Sequence, residues 1–348
     1  MRTIIFFLIF LVFISCRKKT DSNIEFEITD FPVEKNIESE VMTVPPVLLA
    51  PENMCISDNK LIILSTKKDT LIDVFQLPEC KYLFSDGIKG AGPNDLPIDI
   101  DPKFIQAEED VFRIFSPLGY IKEYTINNNK IVDRKKQKIN TKYLDYPVNG
   151  FKILSDNLFI CTTGINDNHN FEFVQINSDT GENHLFGSSP DWINNQWVKG
   201  MEPFVYVKNT VVHPDGTKFA SFYGFFKRWR IYDAKTTQLI RDISVHVSPY
   251  SKEVEEDILD RTVYYRGYPR ASEKYIYALC KNQKYGYNSN ENTELQVWNW
   301  DGNPVAILNL NHKIDLFAVS EKEKRIYALN RNEGHEDKIY VYTIPVLN

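Results

Sequence analysis

The residues of this 348-residue chain best suited to chemistry are arginines set among aromatics, and the chemistry they suit is recognition. Tyr264-Tyr-Arg-Gly-Tyr-Pro-Arg270 is the densest such run, and it contributes Tyr264, Tyr265, Arg266 and Arg270. Trp192 and Trp197 bracket a short polar segment, Arg228 stands before Trp229, and Tyr285 lies in a tyrosine-rich loop. Arginine and aromatic side chains bury large rigid areas while keeping a polar handle, which is why they dominate binding hot spots. Asn94 and Asp95 close the glycine-rich run Gly90-Ala-Gly-Pro-Asn-Asp95. Such a run could cradle an anion, but no helix start follows it, which favours a structural turn.

Catalytic patterns are missing from the sequence. The six histidines, at 169, 184, 213, 246, 312 and 335, occur singly, without the i, i+4 spacing of zinc sites. No Gly-x-Ser-x-Gly elbow and no Gly-x-x-x-x-Gly-Lys run occurs, so the sequence asks for no cofactor. With 41 basic against 47 acidic residues the net charge is -6, which argues against a nucleic-acid module. Acidic residues crowd 251–260 and read as the solvated face of a helix. Cys55, Cys80, Cys161 and Cys280 fit no metal spacing; Cys55 and Cys80 could bridge in an oxidising compartment, or all four could be buried thiols.

The elements that must position these residues are strands. Lys274-Tyr-Ile-Tyr-Ala-Leu279 recurs as Lys324-Arg-Ile-Tyr-Ala-Leu329, and looser copies begin at 59, 109, 156 and 216, making six. A second run with period-two alternation and aromatics follows each copy, at 71–75, 121–124, 171–176, 229–232, 295–298 and 339–342. Val212-His-Pro-Asp-Gly216 supplies turn chemistry between strands, and Asp179-Thr-Gly181 and Asp301-Gly302-Asn303 supply it after the aromatic runs. Only 249–263 offers an amphipathic helix, so a parallel α/β sheet is disfavoured.

The expectation is an all-β, six-bladed β-propeller with four-stranded antiparallel blades over residues 46–348. The last blade lacks an outer strand at its C-terminal end. One of two β-like segments, 24–28 or 37–44, is expected to pair with 339–344 and close the ring, since natural sheets avoid open edges. In a propeller, the loops entering the inner strands and those joining second to third strands share one face. That face is expected to gather Asn94, Asp95, Trp192, Trp197, Arg228, Tyr264, Tyr265, Arg266, Arg270 and Tyr285, with Tyr143, Tyr146 and Tyr287 beside them.

The first sixteen residues read as an address. Arg2 precedes an apolar run of eleven residues, 4–14, too short for a helix to cross a bilayer core of roughly 30 Å. Phe13-Ile14-Ser15-Cys16 resembles the lipobox of bacterial lipoproteins, with Phe13 where leucine is usual. The resemblance implies lipidation of Cys16, a tether over 17–45 and an aqueous fold held at a membrane.

The lipobox, six irregular blades and the Gly90–Asp95 loop together resemble the TolB-like six-bladed propeller lipoproteins of Gram-negative bacteria. The resemblance implies a cell-envelope protein and carries no established chemistry. The preferred expectation is a monomeric, non-catalytic, lipid-anchored module whose face binds an envelope protein, peptide or glycan. The alternative is a calcium-dependent hydrolase or lyase with amides and carboxylates in the central channel, as six-bladed lactonases have.

Overall fold

The computed structural model describes residues 24–92, 94–97, 99–139, 149–163, 171–193, 196–251, 253–286 and 292–347. Signal-like residues 1–16, Cys16 included, and Tyr143, Tyr146 and Tyr287 lie outside these. Among the described residues no helix is long and apolar enough to cross a membrane.

The recurring motif forms the second strand of every blade and the aromatic run the third, as the repeat predicts. Blade 1 runs Pro51–Ser57, Lys60–Ser65, Ile72–Gln76 and Lys81–Asp86, each strand antiparallel to the next. Blades 2, 3 and 4 begin with Ile105–Glu108, Asn149–Ser155 and Lys208–Val212 and are built the same way. Blade 5 has an inner strand of only two residues, Arg270–Ala271, supplemented by a side ribbon of Thr262–Val263 with Gln283–Lys284. Blade 6 contributes Leu316–Ser320, Arg325–Leu329 and Lys338–Thr343.

The ring closes as the open edge requires. Ser39–Thr43 pairs antiparallel with Lys338–Thr343, in the register Thr43↔Lys338, Val41↔Tyr340 and Ser39↔Tyr342. The other β-like segment is used too. Glu25–Ile28 adds in parallel to the outer strand of blade 4, Leu239–Val245, and Glu34–Ile37 adds to that of blade 5, Pro304–Leu310. One N-terminal strap thus covers three successive outer edges, each of which would otherwise present unpaired backbone groups.

Turn residues sit where their conformations are needed. Asp58 and Asn59 turn the first hairpin at φ 41° and 59°, and Gly216 turns that of blade 4 at φ 73°. A Cβ on Gly216 would stand 2.0 Å from the Leu154 carbonyl oxygen of the neighbouring blade, so no other residue fits there.

The abundance of phenylalanine and tyrosine is explained at the seams between blades. Phe151 stacks on Phe115 at 4.3 Å and meets Phe104 edge-on at 5.4 Å between blades 2 and 3. Phe173, Phe219 and Tyr232 pack between blades 3 and 4, and Trp229 meets Trp298 at 5.0 Å between blades 4 and 5. Aromatic pairs fill a wedge-shaped seam with few side chains and add about 0.5–1.5 kcal/mol each beyond their area.

One local expectation is corrected. Residues 251 and 253–257 are irregular, and only one helical turn, Ile258–Asp260, follows, because Asp257 caps it through Leu259 N at 2.9 Å and the chain then enters the side ribbon. An unanticipated short helix, Glu202–Val205, sits in the loop into blade 4. Cys55 and Cys80 are free rather than bridged, Cys55 on the innermost strand of blade 1 and Cys80 beyond the third. Burial pushes both thiols up to about 12, which leaves them neutral.

Candidate functional site

The loops entering the inner strands of blades 4 and 5, with the second-to-third loops of the same blades, build two recesses on one face. Phe225 and Phe226, neighbours in the second-to-third loop of blade 4, divide them: Phe225 lines one and Phe226 the other.

The first recess is an apolar groove of about 180 Å³, lined by Pro203, Phe204, Val207, Ile258, Arg266 and Tyr285 among others. The Arg266 guanidinium lies 4.6 Å from the Tyr285 ring centre, a cation–π pair at the rim. Phe204 is 51% exposed, Val207 45%, Ile258 40% and Leu259 62%, so large apolar side chains cluster in solvent around the groove. Trp197 packs beneath it, under the Arg261 guanidinium at 5.1 Å.

The second recess is a cleft of about 420 Å³ that holds Trp192 and Arg228 together with Lys227, Ser244, His246 and Tyr250. Arg228 lies over the Trp192 ring at 4.2 Å, and its Nη2 donates to Asp242 Oδ1 at 2.8 Å. Arg230 Nε donates to the other oxygen of Asp242 at 2.9 Å, and Arg230 Nη1 reaches Glu172 Oε2 at 3.2 Å. Glu172, 2% exposed at its side chain, also accepts from Lys208 Nζ at 2.7 Å and from Tyr223 OH at 2.8 Å. This buried network spans blades 3 and 4 and fixes Arg228 from behind. Burial, then the adjoining Glu172 charge, pushes the Tyr223 hydroxyl far above its ordinary range, so it remains a donor.

The remaining singled-out residues, Tyr265 excepted, have other places. Asp95 Oδ2 accepts from Gly92 N at 2.7 Å and would stand 2.1 Å from a Cβ on Gly90, so the glycine loop is a turn built around this carboxylate. Asn94 Oδ1 accepts from Asp133 N at 3.2 Å and ties the same loop to blade 2. Tyr264 and Tyr265 are buried: the first hydroxyl accepts from Ser251 N at 3.1 Å, while Tyr265 lines the apolar groove and its hydroxyl donates to Gln296 Oε1 at 2.6 Å. Arg270 leaves the face altogether, because it belongs to an inner strand, and its Nη2 donates across the channel to Asn53 Oδ1 of blade 1 at 2.7 Å. Phe204, Val207 and Lys227 are site residues that sequence reasoning missed. The run Glu202-Pro-Phe-Val205 held the only signal, apolar residues in a loop with no strand pattern.

The central channel is a chamber of about 720 Å³ lined by residues from all six innermost strands. Calcium would need several oxygen ligands, chiefly carboxylates, around one point. Its five carboxylates, Glu108, Glu109, Asp156, Asp215 and Glu273, are exposed and spread over separate blades, the half-buried wall presents Lys152, Arg270 and the Gln106 amide, and among the described residues no group of three or more His, Cys, Asp or Glu could hold a metal. The residues present do not fit the calcium site of the alternative expectation.

No family model matches the chain, and no curated protein matches it. Solved structures share its fold. A presumed exported protein from Bacteroides fragilis superimposes with a TM-score of 0.54 at 11% identity, over 93% of this chain and 99% of that one. A member of the DUF4221 family from Bacteroides vulgatus gives 0.53 at 12% identity, over 90% and 97%. A calcium-binding regucalcin from Agrobacterium tumefaciens gives 0.49 at 10% identity, over 90% and 98%. At such identities the likeness is one of fold, and the chain is a six-bladed β-propeller similar to these two Bacteroides proteins in architecture.

Proposed function

We propose that this protein is a lipid-anchored cell-envelope recognition module of the TolB-like propeller kind, non-catalytic, that grips a protein or peptide on the face formed by blades 4 and 5. The observation that carries the reading is the exposed apolar cluster of Phe204, Val207, Ile258 and Leu259 around a groove with an Arg266–Tyr285 rim. Contiguous exposed apolar side chains bordered by polar ones mark interaction surfaces. An apolar groove suits a peptide or protein side chain better than a glycan, whose hydroxyls would lose water there without hydrogen-bond partners. The neighbouring Trp192–Arg228 cleft extends the surface with a polar patch of mixed charge, lined also by Glu25 and Glu27. The presumed export of the Bacteroides fragilis neighbour and the Ser15-Cys16 junction support an envelope address.

Site-specific photo-cross-linking in intact cells tests the reading. A photoreactive phenylalanine replacing Phe204 should give a discrete adduct with an envelope polypeptide, and one replacing Glu109 on the opposite face should not. Equal labelling from both faces, or none from position 204, overturns it. Labelled palmitate should enter the wild-type protein and not Cys16→Ser; incorporation in both would refute the anchor.

A further inference from the structure

We infer that the central channel is a binding site for a small oxyanion, a carboxylate or phosphate group on a compact solute, held between Lys152 and Arg270. The inference stands apart from the proposed partner face, because it rests on the inner strands alone.

The chamber of about 720 Å³ is of a size that accepts a small molecule. Lys152 enters its wall from blade 3 and Arg270 from blade 5. Arg270 Nε donates to the Phe317 carbonyl at 2.8 Å and Nη2 to Asn53 Oδ1 at 2.7 Å. These bonds orient the guanidinium without neutralising it. Among the described residues the Lys152 ammonium has one cation–π partner, the Phe104 ring at 5.9 Å. Among the described residues neither cation is in ion-pair range of a carboxylate, although both are half-buried and face the same chamber. A charge withdrawn from water is costly unless it is paired, and two like charges sharing a wall add repulsion. Burial and the Arg270 charge pull the Lys152 ammonium down to about 8, and burial pulls Arg270 down to about 10. An oxyanion between them supplies the missing counter-charge and accepts directed hydrogen bonds from both.

The carboxylates near the chamber do not fill this role. Glu108, Glu109, Asp156, Asp215 and Glu273 line the mouth, where all are exposed. Glu108 pairs with Arg113 and Asp215 with His213, and solvent screens the rest. Asp101 lies near enough to oppose the fall in the Lys152 pKa without pairing, and Cys55 stays neutral.

The experiment uses the full-length protein in detergent with 13C-labelled lysine, titrated with sodium sulfate against sodium chloride at matched ionic strength. The Lys152 resonance, assigned by its loss in Lys152→Arg, should move saturably with sulfate and not with chloride. Calorimetry should show sulfate binding at least tenfold weaker in Lys152→Met and retained in Lys152→Arg. Acetate and methyl phosphate, titrated separately, distinguish a carboxylate from a phosphate ligand by whichever binds tighter. A Lys152 resonance unmoved by all three anions, or moved equally by chloride, overturns the inference. The wild-type titration decides the matter even if Lys152→Met fails to fold.

Discussion

Replacing Glu172 with glutamine should destabilise the propeller by about 3–5 kcal/mol, the usual cost of removing one partner from a buried ion pair. Its carboxylate balances Lys208 Nζ at 2.7 Å and Arg230 Nη1 at 3.2 Å, with side chains only 8% and 10% exposed. A glutamine keeps the shape and some hydrogen bonds to Lys208 and Tyr223 but leaves Lys208 without its carboxylate and Arg230 sharing the single charge of Asp242 with Arg228. With about 2.1 cal/mol/K per residue, a domain of this size unfolds with an entropy near 0.7 kcal/mol/K, so a loss of about 4 kcal/mol lowers the melting temperature by roughly 6 °C. Calorimetry of wild type, Glu172→Gln, Lys208→Met and the double variant checks this as a cycle. The double variant should recover much of the loss, because it removes the orphaned ammonium. A melting temperature within about 1 °C of wild type for Glu172→Gln, or a double variant worse than either single one, would refute the argument that charge balance holds the seam between blades 3 and 4.

Other expectations are equally direct. Deleting residues 24–44 removes all three strap strands, and scanning calorimetry should show a sharp fall in melting temperature; unchanged melting would contradict closure by Ser39–Thr43. Gly216→Ala forces a non-glycine residue to φ 73° and a Cβ to 2.0 Å from a backbone oxygen, so chemical denaturation should reveal a loss beyond the about 1–3 kcal/mol of the conformation alone. Lys152 has a native pKa of about 8 against 10.5 for the unfolded chain. Between those values the unfolded state holds a proton that the native state lacks, so this group raises stability as pH climbs through the window. The stability of wild type minus that of Lys152→Met should therefore increase from pH 8 to 10.5, and a flat or falling difference would disprove the assigned shift.

Strand order, blade number and the open final blade are legible in the sequence because they depend on local patterns. Alternation with period two, Asp-Gly and Asn turns, and the fifty-residue echo of Tyr-Ile-Tyr-Ala-Leu each act within a few residues. The closing strand Ser39–Thr43 also follows from the unpaired edge and a β-like segment left over to cover it, whereas the parallel additions to blades 4 and 5 do not.

Which residues share a site is a different matter. Tyr264, Tyr265 and Arg266 are consecutive, yet the first two are buried and only the third is exposed at the groove rim. Arg270 meets Asn53 across 217 residues, a contact set by how the first and fifth blades turn toward one axis. The sequence by itself determined the repeating sheets and their turns, since backbone pairing and hydrophobic alternation are short-range. Only the tertiary structure decided that Phe204 joins Tyr285, that Trp192 lies under Arg228, and that Lys152 and Arg270 line one channel. The rotation of each blade about the axis sets those meetings, and it emerges from packing at every seam together.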